Sequence, residues 1–161
     1  MGIHDFGGGV RIPAGSCAVH LNTPRAQIFS GSGGLTAYNF DGSIDVTCVC
    51  QLPVPERALI RQFVVVGNLS TGQIDAELGG VSWNVPRQTM QFASVSMLPS
   101  TPFEIPDMQQ RKVVQNLPTS DPNSLTTDRA VCYFIQARIH SDSPVSVEQA
   151  IEIFYFEVYW D

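Results

Sequence analysis

A chain of 161 residues is one domain long and large enough to bury a core without a metal or disulfide staple. Charged residues make up only 15%, against 13 glycines and 11 prolines, which is the composition of short strands and turns and not of solvent-facing helices. The formal net charge is −6, and the nine basic residues, with Lys112 the sole lysine, are dispersed from Arg11 to Arg138, so direct nucleic-acid binding and attraction to an anionic membrane surface are excluded as functions.

No apolar run approaches the roughly 20 residues of a membrane helix, so no membrane insertion is expected. The N-terminus, Met1-Gly2-Ile3-His4-Asp5-Phe6, has no charged segment followed by an apolar one, and Phe6 stands where myristoylation requires Ser or Thr. Neither a secretion signal nor a lipid anchor is expected.

In chain order, residues 1–15 are rich in glycine and read as a flexible arm or linker, and residues 16–161 as a single β-sandwich domain. Cys17, Val19 and Leu21 alternate with Ala18, His20 and Asn22 in a first strand that Thr23-Pro24 ends. Ala26 to Ser30 is a short second strand, and Ser30-Gly31-Ser32-Gly33-Gly34 a flexible loop. Thr36 to Phe40, Asp41-Gly42 and Ser43 to Gln51 read as a β-hairpin, because Asp-Gly readily takes the positive φ angles of a type I′ turn. Ile44, Val46, Cys48 and Cys50 then face a core, with Asp45, Thr47 and Gln51 on the other side.

After Pro53-Val54-Pro55, a strand from Leu59 to Val66 returns through Gly67-Asn68-Leu69-Ser70-Thr71-Gly72 into Gln73 to Leu78, a second predicted hairpin whose loop carries the glycosylation sequon Asn68-Leu69-Ser70. Val81, Trp83 and Val85 follow at period two. From Thr89 to Met97 the apolar register moves from Met90 and Phe92 to Ala93, Val95 and Met97, which predicts a bulge near Ala93-Ser94. Leu98 to Asp128 is one long proline-rich loop in which only Met108 to Leu117 reads as a helix or strand.

Two long strands close the chain, Ala130 to Ser141 and Ala150 to Asp161, separated by Asp142-Ser143-Pro144. In simple alternation Ile151, Ile153, Tyr155 and Tyr159 share one face of the last strand, and Phe154, Phe156, Val158 and Trp160 the other. Both faces are then apolar, which predicts cover from a second sheet and from another subunit or a long loop. About eight to ten such strands define an all-β fold, an antiparallel β-sandwich or jelly roll with little helix.

Cys48 and Cys50, at i and i+2 of a flat strand, are poorly placed to bridge each other, so Cys17, Cys48, Cys50 and Cys132 read as buried free thiols; no second ligand pair makes them a zinc site. A hydrolase would start from His140-Ser141-Asp142-Ser143, with His4 or His20 as further imidazoles and Ser16 or Ser32 as further nucleophiles. No Gly-x-Ser-x-Gly elbow occurs and a capped turn is the simpler reading, so no catalytic residue is assigned. Asp75 and Glu77 share a solvated strand face, while Glu152 and Glu157 alternate onto opposite faces, so neither is a glycosidase pair. No cofactor is expected. Asp121, Asn123 and Asp128 form an oxygen-rich turn that calcium would accept, although it lacks the glycine and terminal glutamate of an EF-hand loop. Phe103, between Pro102 and Glu104, is the exposed anchor expected to touch a receptor, and Tyr155, Tyr159 and Trp160 are the residues expected at a subunit contact.

With its glycine-rich arm, no catalytic motif or basic patch, and the paired strands Ala130 to Ser141 and Ala150 to Asp161, the chain resembles part of a coat protein of a small icosahedral RNA virus of the nodavirus or tetravirus kind, specifically the protruding domain. The likeness covers architecture from about Ser16 to Asp161 and rests on no invariant motif. It implies a non-enzymatic domain at the virion surface that forms dimeric or trimeric spikes and attaches particles to a host-cell receptor, a glycan among the candidates. The chain lacks the basic arm with which complete coat proteins neutralise RNA, which fits an outer domain. The alternative is a carbohydrate-binding module or lectin-like β-sandwich using aromatic and Asp/Asn groups; a third reading is a hydrolase using Ser, His and Asp.

Overall fold

The computed structural model describes residues 6–31, 33–55, 58–82, 88–117 and 132–161. Its strands are β1 (Gly8–Pro13), β2 (Ala18–Leu21), β3 (Gln27–Gly31), β4 (Gly34–Tyr38), β5 (Ile44–Leu52), β6 (Ile60–Asn68), β7 (Gln73–Ser82), β8 (Gln88–Met97), β9 (Phe103–Ile105), β10 (Gln110–Asn116), β11 (Cys132–Ser141) and β12 (Ile151–Trp160). Helical structure among the described residues is confined to 3-10 turns at Ala14–Ser16, Pro106–Met108 and Val147–Gln149.

Two burial patterns mark two layers. Along β5, Ile44, Val46, Cys48, Cys50 and Leu52 are buried while the residues between them lie on the open side, as in a sheet with one face against a core. β6 instead buries Phe63, Val64, Val65 and Val66 in succession, because on the outer face of this central strand Val64 and Val66 lie between Glu157 and Tyr155 of β12 and Val114 and Lys112 of β10. β5 lies in a sheet ordered β2-β5-β11-β7-β8; β6 lies in a larger one ordered β3-β4-β12-β6-β10-β9, with β1 also paired to β12. Every ladder among the described residues is antiparallel. The core is the contact between them, with Leu35, Phe63, Ile153 and Phe156 from one sheet and Val46, Ile74, Leu78 and Ile135 from the other all at most 1% exposed. Each such side chain contributes about 1.5–3 kcal/mol of burial. The fold is thus the antiparallel β-sandwich that the strand spacing predicts.

The connections differ from the expected ones. β4 and β5 do not form a hairpin, because Leu35 and Ala37 on one and Ile44 and Val46 on the other point into the core from opposite sheets. Asp41-Gly42 lies in the crossing between them, and Gly42 is not in the left-handed region that a type I′ turn requires. Asn39 holds this crossing: its Oδ1 accepts the Asp41 N–H at 3.1 Å, its Nδ2 donates to the Ser43 carbonyl at 2.9 Å, and its backbone pairs with Val145. The second expected hairpin is also a crossing, since β6 and β7 lie in different sheets with Leu69 fully buried between them. The loop read as flexible, Ser30 to Gly34, instead turns a true hairpin, β3 to β4, with Gly31 paired to Gly34 and Gly34 at φ 111°. β11 and β12, adjacent in sequence, are one strand in each layer.

The segment read as an arm is seated on the larger sheet from Gly8 onward, and Gly8 and Gly9 lie so close to Trp160 and Tyr159 that a Cβ on either would run into those rings. β10 fills the Met108 to Leu117 window inside the long loop and pairs with the short β9. The β8 bulge leaves Phe92 as the extra residue, one position before the predicted site, where it packs on Tyr133 with centroids 5.7 Å apart. Cys17 and Cys50 are joined in a disulfide with Cα atoms 4.7 Å apart, so the expectation of free thiols is corrected for these two. The β2–β5 register is the cause: pairing Ala18 with Val49 brings Cys17 opposite Cys50. Cys48 remains a buried free thiol.

Candidate functional site

Two open sheet faces can meet a ligand. On the smaller sheet, alternation turns Asp45, Thr47, Asp75, Glu77, Gln136, Arg138 and His140 outward. Most of these groups satisfy one another. Arg138 donates to both carboxylate oxygens of Asp45, at 2.8 and 3.0 Å, and this holds the Asp45 carboxyl below its usual range. Burial acts to raise the Asp75 carboxyl, but contacts from Ser96 at 2.6 Å, His140 at 2.7 Å and Gln73 at 2.7 Å outweigh it and hold this group low as well. A shallow groove of about 220 Å³ runs between Asp75, Glu77, Ser94, Gln136 and Arg138.

This network also bears on the hydrolase reading. A triad needs an imidazole between the nucleophile and the acid, whereas here Asp75 stands in the middle, between Ser96 and His140. Ser141 caps its own turn by bonding Ser143. His20 lies exposed on β2, and His4 lies outside the described residues.

The larger sheet presents a different face, and a bulge in β12 decides its content. Ile153 pairs with Gly67 and Tyr155 with Val66, so Phe154 is an extra residue and the alternation changes phase there. Ile151 and Ile153 before the bulge, and Phe156 and Val158 after it, all enter the core. Glu152, Tyr155, Glu157 and Tyr159 consequently share the outer face. The expectation that Glu152 and Glu157 point to opposite faces is corrected by that single inserted residue.

Next to Glu152 the sheet edge carries exposed aromatic rings. Phe29 on β3 and Phe40 after β4 are 60% and 64% exposed, and both flank Tyr38, with centroids 5.9 and 6.4 Å from it and planes 21° and 18° from parallel. Pairing of Phe29 with Thr36 and of Thr36 with Glu152 brings the carboxylate into the same cross-strand row. Glu152 is half-buried and bonds no side chain among the described residues, and burial raises its carboxyl above the usual range.

Farther along β12, Glu157 is 9% exposed, and its Oε2 accepts from Arg11 at 3.3 and 3.4 Å and from the Tyr159 hydroxyl at 2.6 Å. Burial and the adjacent Glu157 push the Tyr159 hydroxyl up to about 12. Arg11 also lies over the Tyr155 ring at 4.1 Å, and Phe6 stacks on Tyr159 at 5.2 Å. A cavity of about 330 Å³ opens among Phe6, Gly9, Arg11, Glu157 and Tyr159.

The residues expected at a subunit contact, Tyr155, Tyr159 and Trp160, therefore lie along β1 of the same chain, with Trp160 partly buried against the core. Phe103, the expected receptor anchor, is 42% exposed on β9 with the Arg111 guanidinium 3.9 Å above its ring. The calcium candidates Asp121, Asn123 and Asp128 lie outside the described residues. Among the described residues, no three His, Cys, Asp or Glu side chains are grouped to hold a metal ion. Asn68, the sequon residue, ends β6 and accepts from Arg111 Nε at 3.2 Å. The Phe29, Tyr38 and Phe40 row is not legible in the sequence as a whole because Phe29 comes from β3 and meets Tyr38 only through the β3–β4 register; Tyr38 and Phe40, two residues apart on one extended run, are the local sign.

No family model and no curated protein matches the chain. Solved structures do. A family 61 carbohydrate-binding module, TmCBM61, solved with β-1,4-galactotriose, superposes with a TM-score of 0.54 at 10% identity, over 92% of this chain and 91% of its own. The xylan-binding module CBM15 gives 0.52 at 11% identity over 95% and 96%. The C-terminal family 6 module of LamC, a marine laminarinase from Zobellia galactanivorans, gives 0.51 at 9% over 94% and 99%. At these identities the likeness is one of fold. The resemblance to a viral protruding domain, with its virion location, spike and host attachment, is corrected: the solved structures that share this fold are carbohydrate-binding modules, and of the features it rested on, the glycine-rich arm is strand β1 from Gly8 and the two closing strands lie in different sheets.

Proposed function

We propose that this chain is a non-catalytic carbohydrate-binding module that takes neutral sugars on the outer face of its larger sheet. The observation that carries the reading is the row of Phe29, Tyr38 and Phe40 beside the Glu152 carboxylate, which bonds no side chain among the described residues. A pyranose has an apolar C–H face and a rim of hydroxyls. The rings offer the first a stacking surface, and the carboxylate offers the second a charged acceptor stronger than a neutral one. Large aromatic side chains left in water beside such an acceptor are otherwise a cost to the fold. Modules of the same fold solved with or named for glycans support the reading. The Cys17–Cys50 bond favours an oxidising compartment outside the cytosol, where polysaccharides are met.

The two outward glutamates pair with Asn68 and Val64 of β6, and four ladder positions at about 3.3 Å each set them roughly 13 Å apart, beyond the roughly 5–9.5 Å of glycosidase pairs. The geometry thus favours binding over hydrolysis. Affinity electrophoresis against β-1,4-galactan, xylan and laminarin tests it. Retardation by at least one, abolished in F29A/F40A, is the expected result; no retardation by any neutral polysaccharide overturns it.

A further inference from the structure

The phase change at Phe154 does more than expose two glutamates. It aligns the groove at Phe6, Arg11, Glu157 and Tyr159 with the aromatic row at Phe29, Tyr38 and Phe40 along one face. We propose that this groove is a second subsite for the same ligand, so that the module takes a neutral glycan chain of several rings lying along β12 and not a single terminal sugar. The inference rests on the reading of the first site as a sugar platform.

Three features of the groove fit a hydroxylated ring. Glu157 Oε2 takes all the bonds from Arg11 and Tyr159, which leaves Oε1 without a protein partner among the described residues. Arg11 is 60% exposed at its side chain, so guanidinium hydrogens remain for a sugar oxygen. Phe6, stacked on Tyr159, gives the groove an apolar wall. Gly9 keeps it open, since a side chain there would collide with the Tyr159 ring. From Glu152 to Tyr159 the strip spans the six ladder positions between Asn68 and Gln62 of β6, roughly 20 Å at about 3.3 Å per residue, longer than one sugar ring.

Charge sets the ligand class. Among the described residues no cation bonds Glu152, Arg11 is already bound to Glu157, and the whole chain carries a formal charge of −6 at pH 7. A uronate chain would lay carboxylates beside Glu152 and meet long-range repulsion, whereas a neutral chain meets neither. Joining two subsites through one chain makes the second contact intramolecular, so affinity rises with ligand length without any new pocket.

Calorimetry with the full chain separates the outcomes, using the disaccharide and hexasaccharide of whichever neutral polysaccharide binds, with polygalacturonate as the anionic comparison. The hexasaccharide is expected to bind at least tenfold more tightly than the disaccharide, and E157Q and F6A, checked for an unchanged melting transition, to remove that gain while leaving disaccharide binding intact. Equal affinity for both lengths, or a gain that survives both substitutions, overturns the second subsite while the first stands. Loss of sugar binding altogether removes both. Polygalacturonate binding as tight as that of the neutral chain overturns the charge assignment.

Discussion

Phe29 and Tyr38 stand on neighbouring antiparallel strands, diagonal to one another, with ring centroids 5.9 Å apart and planes 21° from parallel. Because Phe29 and Phe40 are mostly exposed, neither fills the core. F29A and F40A should each weaken glycan binding about tenfold, the equivalent of about 1.4 kcal/mol, while the melting temperature moves little. Calorimetry and thermal unfolding on the same samples check both halves.

Glu152 should show the opposite signs for function and stability. Its carboxyl is raised in the fold, so its stabilising contribution is present below the ordinary carboxylate range and is lost as pH rises through the raised value. E152Q should therefore melt no lower than the native chain at pH 7, and bind sugar more weakly. A melting temperature several degrees lower would contradict the desolvated environment.

Asp45 and Asp75 work the other way. Both carboxyls are held low, so the stability they supply is present above the ordinary value near 4 and is lost as pH falls below it. D75N should flatten the acid limb of a stability–pH curve as pH falls below about 4, with a modest effect at pH 7 because the pair is partly solvated. Urea titrations at stepped pH measure this.

The Cys17–Cys50 bond closes a loop between residues 33 apart, and its removal by C17S/C50S should cost about 3 kcal/mol of stability. Burial pushes the Cys48 thiol up to about 11, so that cysteine should resist alkylation in the native state and react only after unfolding. Mass spectrometry after iodoacetamide labelling, with and without denaturant, reads this.

Gly34 tests the hairpin. Its φ of 111° suits glycine alone, and a Cβ there would press on the Ile153 carbonyl and the Phe154 backbone at the β12 bulge. G34A should destabilise by more than about 1 kcal/mol and weaken sugar binding together, since the bulge sets which groups face out. Loss of stability with unchanged affinity would detach the bulge from the site.

Local patterns in the chain determined that it is all-β, where most strands run, that β5 has one core face, and that β8 carries a bulge, because alternation and Gly/Pro punctuation act over a few residues. Which strands pair was decided only in three dimensions. Asp41-Gly42 looks like a hairpin turn, yet the strands on either side bury their apolar faces from opposite sheets. Cys17 meets Cys50 only through the β2–β5 register, and the aromatic row forms only where β3 meets β4. The apolar run of β12 hides its bulge, because Phe154 looks like any other strand residue until Gly67 and Val66 count the register from across the ladder. That one residue turns Glu152 and Glu157 to the same side, and the face they share belongs to the sheet, not to any segment of the chain.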